Sequence, residues 1–146
     1  MLPLRSSVRA ALQDDGGLKG EMITGRVNTG LEATVRLSLR SRQGDETVVE
    51  AVVDTGFTGF LTLPPGLVEE LDLKFHKRGQ AVLGDGSTVV FDTYEAIILW
   101  NGRTRRIAID AAEVDPLLGV RLLYGHELSV EFIVNGDVVI QALPMS

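Results

Sequence analysis

The sequence predicts an all-β domain, a barrel or sandwich carrying one or two short helices. Three observations support that fold class. Short runs rich in β-branched residues recur along the chain, and Thr34-Val35-Arg36-Leu37-Ser38-Leu39-Arg40 alternates with the period of two that a half-buried strand requires. Turn signals separate these runs at close spacing, among them Gly84-Asp85-Gly86-Ser87, Asn101-Gly102 and Asn135-Gly136-Asp137. The length of 146 residues suits one domain with a single buried core and no disulfide or metal support.

The elements follow in chain order. Residues 1–21 differ from the rest: Arg5 to Leu12 suits a short helix and Asp14-Asp15-Gly16-Gly17 a linker, so this segment reads as a mobile tail, with a propeptide as the sharper alternative. The domain proper is 22–146. Strands are expected at Met22–Val27, Leu31–Leu39 and Thr47–Val53, the last two joined by a turn at Arg42-Gln43-Gly44-Asp45. Phe60-Leu61-Thr62-Leu63 is a further short strand. Pro64-Pro65 then opens a helix over Gly66–Leu71, since proline is tolerated in a first turn, and Glu69-Glu70 face solvent. Gln80–Leu83 and Thr88–Val90 form one hairpin, and Tyr94–Trp100 and Arg103–Ile109 a second around a type I′ Asn101-Gly102 turn. Trp100 reads as a strand-end packing residue. A helical piece over Val120–Tyr124 follows Leu117-Leu118-Gly119, and Leu128–Val134 and Val138–Leu143 make the last hairpin.

Composition narrows the chemistry. The net charge of -6 argues against a nucleic-acid or anionic-membrane partner, and Arg103-Thr104-Arg105-Arg106 reads as a solvated strand edge. No apolar stretch approaches the ~20 residues of a membrane span. With no cysteine there is no disulfide framework, thiolate metal site or cysteine nucleophile, which fits a cytoplasmic location. His76 and His126 are the only histidines. His126-Glu127 begins like a zinc-protease helix, but Val130 stands where the second histidine belongs, leaving a turn histidine.

Against that background Asp54 is conspicuous. It closes the apolar run Val48-Val49-Glu50-Ala51-Val52-Val53 and opens Thr55-Gly56-Phe57-Thr58-Gly59. A carboxylate at the end of a buried strand is costly unless something requires it. The plain reading is an aspartate capping its own turn through an Asx-type bond. The sharper one is catalytic: hydrolysis of a peptide bond without metal or covalent nucleophile needs one carboxylate to activate water and one carboxylic acid to polarise the carbonyl. Two carboxyls about 3 Å apart repel by roughly 5 kcal/mol at an effective dielectric of about 20, so such a pair shares one proton.

A strand ending in Asp54-Thr55-Gly56, a glycine-tipped hairpin about thirty residues later and the apolar-apolar-Gly step Leu117-Leu118-Gly119 occur in that order. This order resembles the retropepsin-like aspartic proteases, and the Asp-Thr-Gly-Phe string is nearest the small prokaryotic members of that clan. The resemblance covers Met22 to Phe132. It implies a small closed acid-protease-like β-barrel that is half of a two-fold symmetric dimer, with Asp54 catalytic. It further implies that Thr55 donates its hydroxyl across the dimer axis, that Gly56 lets substrate backbone approach, and that Thr58 contacts substrate main chain. Leu83, Gly84, Asp85, Gly86 and Ser87 become a flap over bound peptide, and Leu117, Leu118 and Gly119 a support beneath the catalytic loop. No cofactor and no metal are implied. The partners are a second copy of the chain and a peptide or unfolded protein.

The count of motifs makes the dimer necessary to this reading. Asp85 lies in Asp-Gly-Ser, and no other aspartate precedes Thr/Ser-Gly, so the second carboxylate must be Asp54 of another chain. Two departures from the retroviral pattern stand out. Phe57 replaces the usual alanine, and Val120-Arg121 follows Gly119 where retroviral enzymes have Arg and then Asn or Asp, a change that removes or rebuilds inter-subunit ion pairs. The alternative function is therefore a retropepsin-like dimerisation or peptide-binding module with little or no hydrolysis.

Overall fold

A computed structural model describes residues 22–144. The tail or propeptide expected over 1–21 lies outside the described residues. Ten strands and two short helices follow one another: β1 (Met22–Val27), β2 (Ala33–Arg40), β3 (Glu46–Val53), β4 (Leu61–Leu63), α1 (Pro65–Glu70), β5 (Lys74–Val82), β6 (Thr88–Trp100), β7 (Arg103–Ala111), β8 (Leu117–Leu118), α2 (Val120–Leu123), β9 (His126–Val130) and β10 (Asp137–Ala142). The all-β class with two short helices is what the sequence predicts.

The strands form one sheet in the order β5-β6-β7-β4-β8-β3-β2-β1-β10-β9. An additional antiparallel pairing, Leu39 with Ile98 and Arg40 with Ile97, joins β2 back to β6. The ladder thus returns on itself through β6, β7, β4, β8, β3 and β2. Val35, Leu37, Leu39, Leu61, Leu63, Ile98, Ile109 and Leu118 of these strands are buried in one cluster with Leu122 of α2. Each contributes roughly 1.5–3 kcal/mol relative to an exposed position. The period-two run of β2 supplies three of them from alternate positions.

Several boundaries differ from the sequence expectation, each for a local reason. β2 begins at Ala33 and not Leu31, because Asn28 Oδ1 accepts hydrogen bonds from the Gly30 and Glu32 N–H groups and Leu31 takes φ 61° in the resulting turn. The helix α1 starts one residue early, with Pro65 in its first turn. The expected break between Val90 and Tyr94 is absent. β6 runs unbroken for 13 residues because Asp92 is paired with Arg78 (2.9 Å) and Thr93 lies opposite both Lys77 and Asp110. For the same reason β5 begins at Lys74 and not Gln80. At the other end β9 stops at Val130 and not Val134, since residues 131–136 turn on the Ile133 N–H to Glu131 carbonyl and Gly136 N–H to Ile133 carbonyl bonds. That turn leaves Phe132, Ile133 and Val134 exposed.

The two predicted packing features hold. Asn101 and Gly102 both take positive φ (54° and 76°), as a type I′ turn requires, and Trp100 is buried. His126 is more constrained than a turn histidine. Its Nε2 lies 2.6 Å from the Asn101 amide and its Nδ1 2.9 Å from the Tyr124 carbonyl, with the ring edge-on to Trp100.

Candidate active site

The loop from Asp54 to Phe60 leaves β3 and re-enters the sheet as β4, and β8 lies between those two strands. Val53 pairs in parallel with Leu118, and Leu118 pairs antiparallel with Leu61 on its other side. Leu118 therefore holds both feet of the loop. Its carbonyl accepts the Asp54 N–H at 2.9 Å, which fixes the backbone at the point where the carboxylate departs. Beneath, the Leu117 N–H donates to Oγ1 of Thr62 (2.9 Å), a buried hydroxyl in an otherwise apolar strand.

The loop is tied to α2 as well. A helix leaves its first N–H groups without intrahelical acceptors. Here Gly119, Val120 and Arg121 N–H groups donate to the carbonyls of Phe60 (2.9 Å), Phe57 (2.9 Å) and Gly59 (3.2 Å). The loop's carbonyls and the helix's orphan donors satisfy one another. Such contact demands close approach: a Cβ on Gly119 would stand 2.2 Å from the Gly59 carbonyl oxygen and 2.6 Å from the Phe57 ring. The Phe57 ring also passes over Gly59, where a Cβ would meet its Cζ at 2.6 Å. Phe57 thus packs across Gly59 of the loop and Gly119 at the start of α2. Phe60 sits between the guanidinium groups of Arg105 (5.3 Å) and Arg121 (5.9 Å).

Asp54 itself is half-buried. Its Oδ1 accepts from the Gly56 N–H at 2.9 Å, and the Phe57 N–H donates to its carbonyl at 3.1 Å. The turn-capping bond of the plain reading is therefore present. It orients the carboxyl through one oxygen, and no other hydrogen bond or ion pair holds the side chain among the described residues. Thr55, Gly56 and Thr58 are exposed, and the Thr55 and Thr58 hydroxyls have no hydrogen-bond partner among the described residues.

The hairpin of Leu83, Gly84, Asp85, Gly86 and Ser87 joins β5 to β6. Leu83 N–H donates to Ser87 carbonyl at 2.8 Å, and Gly86 takes φ 88°. Asp85 Oδ1 accepts from both the Ser87 hydroxyl (2.6 Å) and N–H (2.9 Å), and these bonds hold its pKa below the ordinary aspartate range. Every residue from Gln80 to Val90 is exposed, with Val82 at 75%. The arm stands away from the core, and no hydrogen bond links its tip to the Asp54 loop among the described residues.

Sequence reasoning missed three residues that shape this region: Gly59, Thr62 and Asp110. Asp110 lies on β7 beside Thr62 of β4 and opposite Thr93 of β6. Its Oδ2 is 3.2 Å from the place a Cβ on Gly59 would occupy. Burial raises the Asp110 pKa, and the 3.3 Å Thr93 hydroxyl bond and the Lys77 charge offset this only in part. The native state then binds more protons than the unfolded chain between the ordinary and the raised value. Stability accordingly falls as pH rises through that window and the cost stays constant above it. Asp110→Asn keeps an acceptor for Thr93 and removes the charge. Its melting temperature is expected to exceed wild type by about 1–3 °C at pH 7, with the gap closing below pH ~3.9, in paired thermal melts.

No family model matches the chain, and no curated protein matches it. Among solved structures it is similar to the crystal structure of a retropepsin-like aspartic protease from Rickettsia conorii. That likeness has a TM-score of 0.55 and 13% identity over 83% of this chain and 90% of the other. The fold is retropepsin-like. The solution structure of the Simian Foamy Virus (mac) protease is also similar, with a TM-score of 0.45 and 19% identity over 61% of this chain and 91% of that one. Within this retropepsin-like fold no group of three or more His, Asp or Glu side chains is placed to hold a metal ion among the described residues. No described helix is long and apolar enough to cross a membrane.

Proposed function

We propose that two copies of this chain form an aspartic endopeptidase whose catalytic dyad is Asp54 from each. The observation that carries this reading is the Asp54 loop itself. It is suspended between β3 and β4, braced by β8 and α2, with its carboxyl oriented through Oδ1 and its Thr55 hydroxyl unengaged among the described residues. A lone Asp-Thr-Gly completes such a site only by meeting its symmetry mate.

In the dyad one carboxyl is protonated and the other is not, which sets an acidic to mildly acidic optimum. The carboxylate takes a proton from a water held between the two groups as the water oxygen bonds to the scissile carbonyl carbon. The protonated carboxyl gives its proton to the carbonyl oxygen, producing a neutral tetrahedral diol. Collapse breaks the C–N bond: one diol hydroxyl returns a proton to the dyad as a carbonyl re-forms, and the leaving nitrogen takes a proton from the dyad. The products are an acid and an amine, and the dyad again holds one proton. The exposed β5–β6 arm, with Leu83 to Ser87 at its tip, serves as the flap, and its backbone binds an extended peptide or unfolded protein as an added strand.

The second copy docks at the β9 edge. β10, the last strand described, is paired on both sides, with β1 and β9, inside its own chain. β9 ends the ladder, and exposed apolar groups flank it: Tyr124 (79%) before it, and Phe132 (66%) and Ile133 after. Sedimentation at several concentrations, paired with a peptide-library digest across pH, tests the whole reading. Cleavage is expected to track the dimer fraction and to yield to a statine-type transition-state analogue. Ile133→Asp is expected to weaken the dimer roughly tenfold or more and to lower cleavage in parallel at fixed concentration, with the circular dichroism unchanged. A chain that cleaves equally well as a monomer overturns the shared dyad. A stable dimer that neither cleaves nor binds the analogue at any pH favours the non-hydrolytic module.

A further inference from the structure

On the outer face of the sheet, a cavity of about 290 Å³ opens where β2, β5, β6 and β7 come together. The strand register places its charged lining. Arg40 on β2 pairs with Ile97 on β6, and Ile97 pairs with Arg106 on β7. Directly opposed residues project from the same face, so Arg40 and Arg106 flank Ile97 from its two sides. Two residues along β6, on that same face, Glu95 lies opposite Lys74 of β5. Arg42, from the β2–β3 turn, completes the rim.

Arg40, Arg42, Lys74 and Arg106 thus face one hollow that has a single acidic residue in its lining, Glu95. Glu95 is already engaged by His76 Nδ1 at 3.3 Å. None of the four cations forms an ion pair or side-chain hydrogen bond among the described residues. Glu46 stands opposite Arg40 on β3 without forming an ion pair with it. Elsewhere this acidic chain does neutralise cations on its sheet: Arg26 pairs with Asp137 and Arg78 with Asp92. In a protein of net charge -6 the hollow gathers four cations against one lining carboxylate, Glu95. Guanidinium groups from two sides of an apolar floor suit a planar or tetrahedral oxyanion, which they bind through paired N–H donors.

We propose that this cavity is an anion site for the phosphate groups of a small phosphoester or of pyrophosphate. Its volume lies near the lower limit for small-molecule pockets, about 300 Å³, and so favours a compact ligand over a large one. The inference is independent of the Asp54 reading, because none of these residues belongs to that loop.

The test is a ¹⁵N NMR titration of the full chain with sodium pyrophosphate against sodium chloride at matched ionic strength. A second arm uses a nucleoside diphosphate. Saturable shifts are expected at residues 40–44, 73–74, 95–97 and 106. Tighter binding of the nucleoside diphosphate identifies a phosphoester as the ligand, and equal or weaker binding identifies the inorganic ion. Arg40→Gln with Arg106→Gln is expected to weaken binding about tenfold for each guanidinium removed, whereas Arg103→Gln, on the same strand but outside the cavity, leaves it unchanged. Shifts that chloride reproduces, that fail to saturate, or that persist in the double variant overturn the site. Saturable binding of an oligoglutamate peptide with no pyrophosphate binding overturns the small-phosphate ligand in favour of an acidic polypeptide.

Discussion

Asp54→Asn is expected to lower kcat/KM for peptide cleavage by about 10²–10⁴-fold or more, the range that loss of acid-base catalysis produces. The fold should survive. Asparagine is nearly isosteric, and its Oδ1 still accepts the Gly56 N–H that closes the turn in the wild-type chain at 2.9 Å. The substitution therefore removes proton transfer while leaving the loop, the β8 brace and the proposed dimer in place. Mixing separates a shared dyad from a site contained in one chain. If subunits exchange freely, adding an equal amount of variant diverts half of the wild-type chains into mixed dimers with one carboxyl, and activity falls to roughly half. Independent sites lose nothing on mixing. Undiminished cleavage by the purified variant removes Asp54 from the mechanism altogether.

How much of this was legible in the sequence depended on how local the determining interactions are. Asn101-Gly102 is legible because a type I′ turn needs positive φ at two adjacent positions, and few other pairs supply it. The Asp54 turn is legible for the same reason: the capping oxygen and the N–H it binds are two residues apart. Leu31 misleads because its apolar side chain suggests a strand, whereas Asn28, three residues before it, dictates a turn. The continuity of β6 through Phe91-Asp92-Thr93 depends on partners that only the assembled sheet supplies, Arg78 at 14 residues' separation and Asp110 at 17. Phe132-Ile133-Val134 looked like strand because exposure is a tertiary property. Thr62 and Asp110 carry no local signature at all, since Thr62 acts on a residue 55 positions away. Leu117-Leu118-Gly119 was readable only through resemblance; the contacts that require it are with a loop some sixty residues earlier.

Those contacts make Gly119→Ala the most disruptive small substitution expected near the site. The backbone φ at Gly119 is -100°, which any residue adopts, so the demand for glycine is one of space. An added Cβ would lie 2.2 Å from the Gly59 carbonyl oxygen and 2.7 Å from that of Phe57. Both are backbone atoms, and both belong to carbonyls that accept hydrogen bonds from α2. No rotamer change relieves the clash. Either the loop or α2 must move, and movement of either lengthens the bonds that hold the Asp54 loop against β8. Overpacking in a well-filled interior typically costs 1–3 kcal/mol, and immovable backbone on two sides places this case at about 3 kcal/mol or above. Urea unfolding should show a lower midpoint with the slope unchanged. Gly84→Ala is the matched control, because a Cβ there meets nothing within 4 Å and the midpoint should stay close to that of wild type. Cleavage by the folded fraction of Gly119→Ala should fall further than the loss of folded protein explains, because misplacing a catalytic group by about 1 Å can cost 10²-fold. Equal losses of folded protein and activity would mean that Gly119 supports the fold without setting the geometry of Asp54.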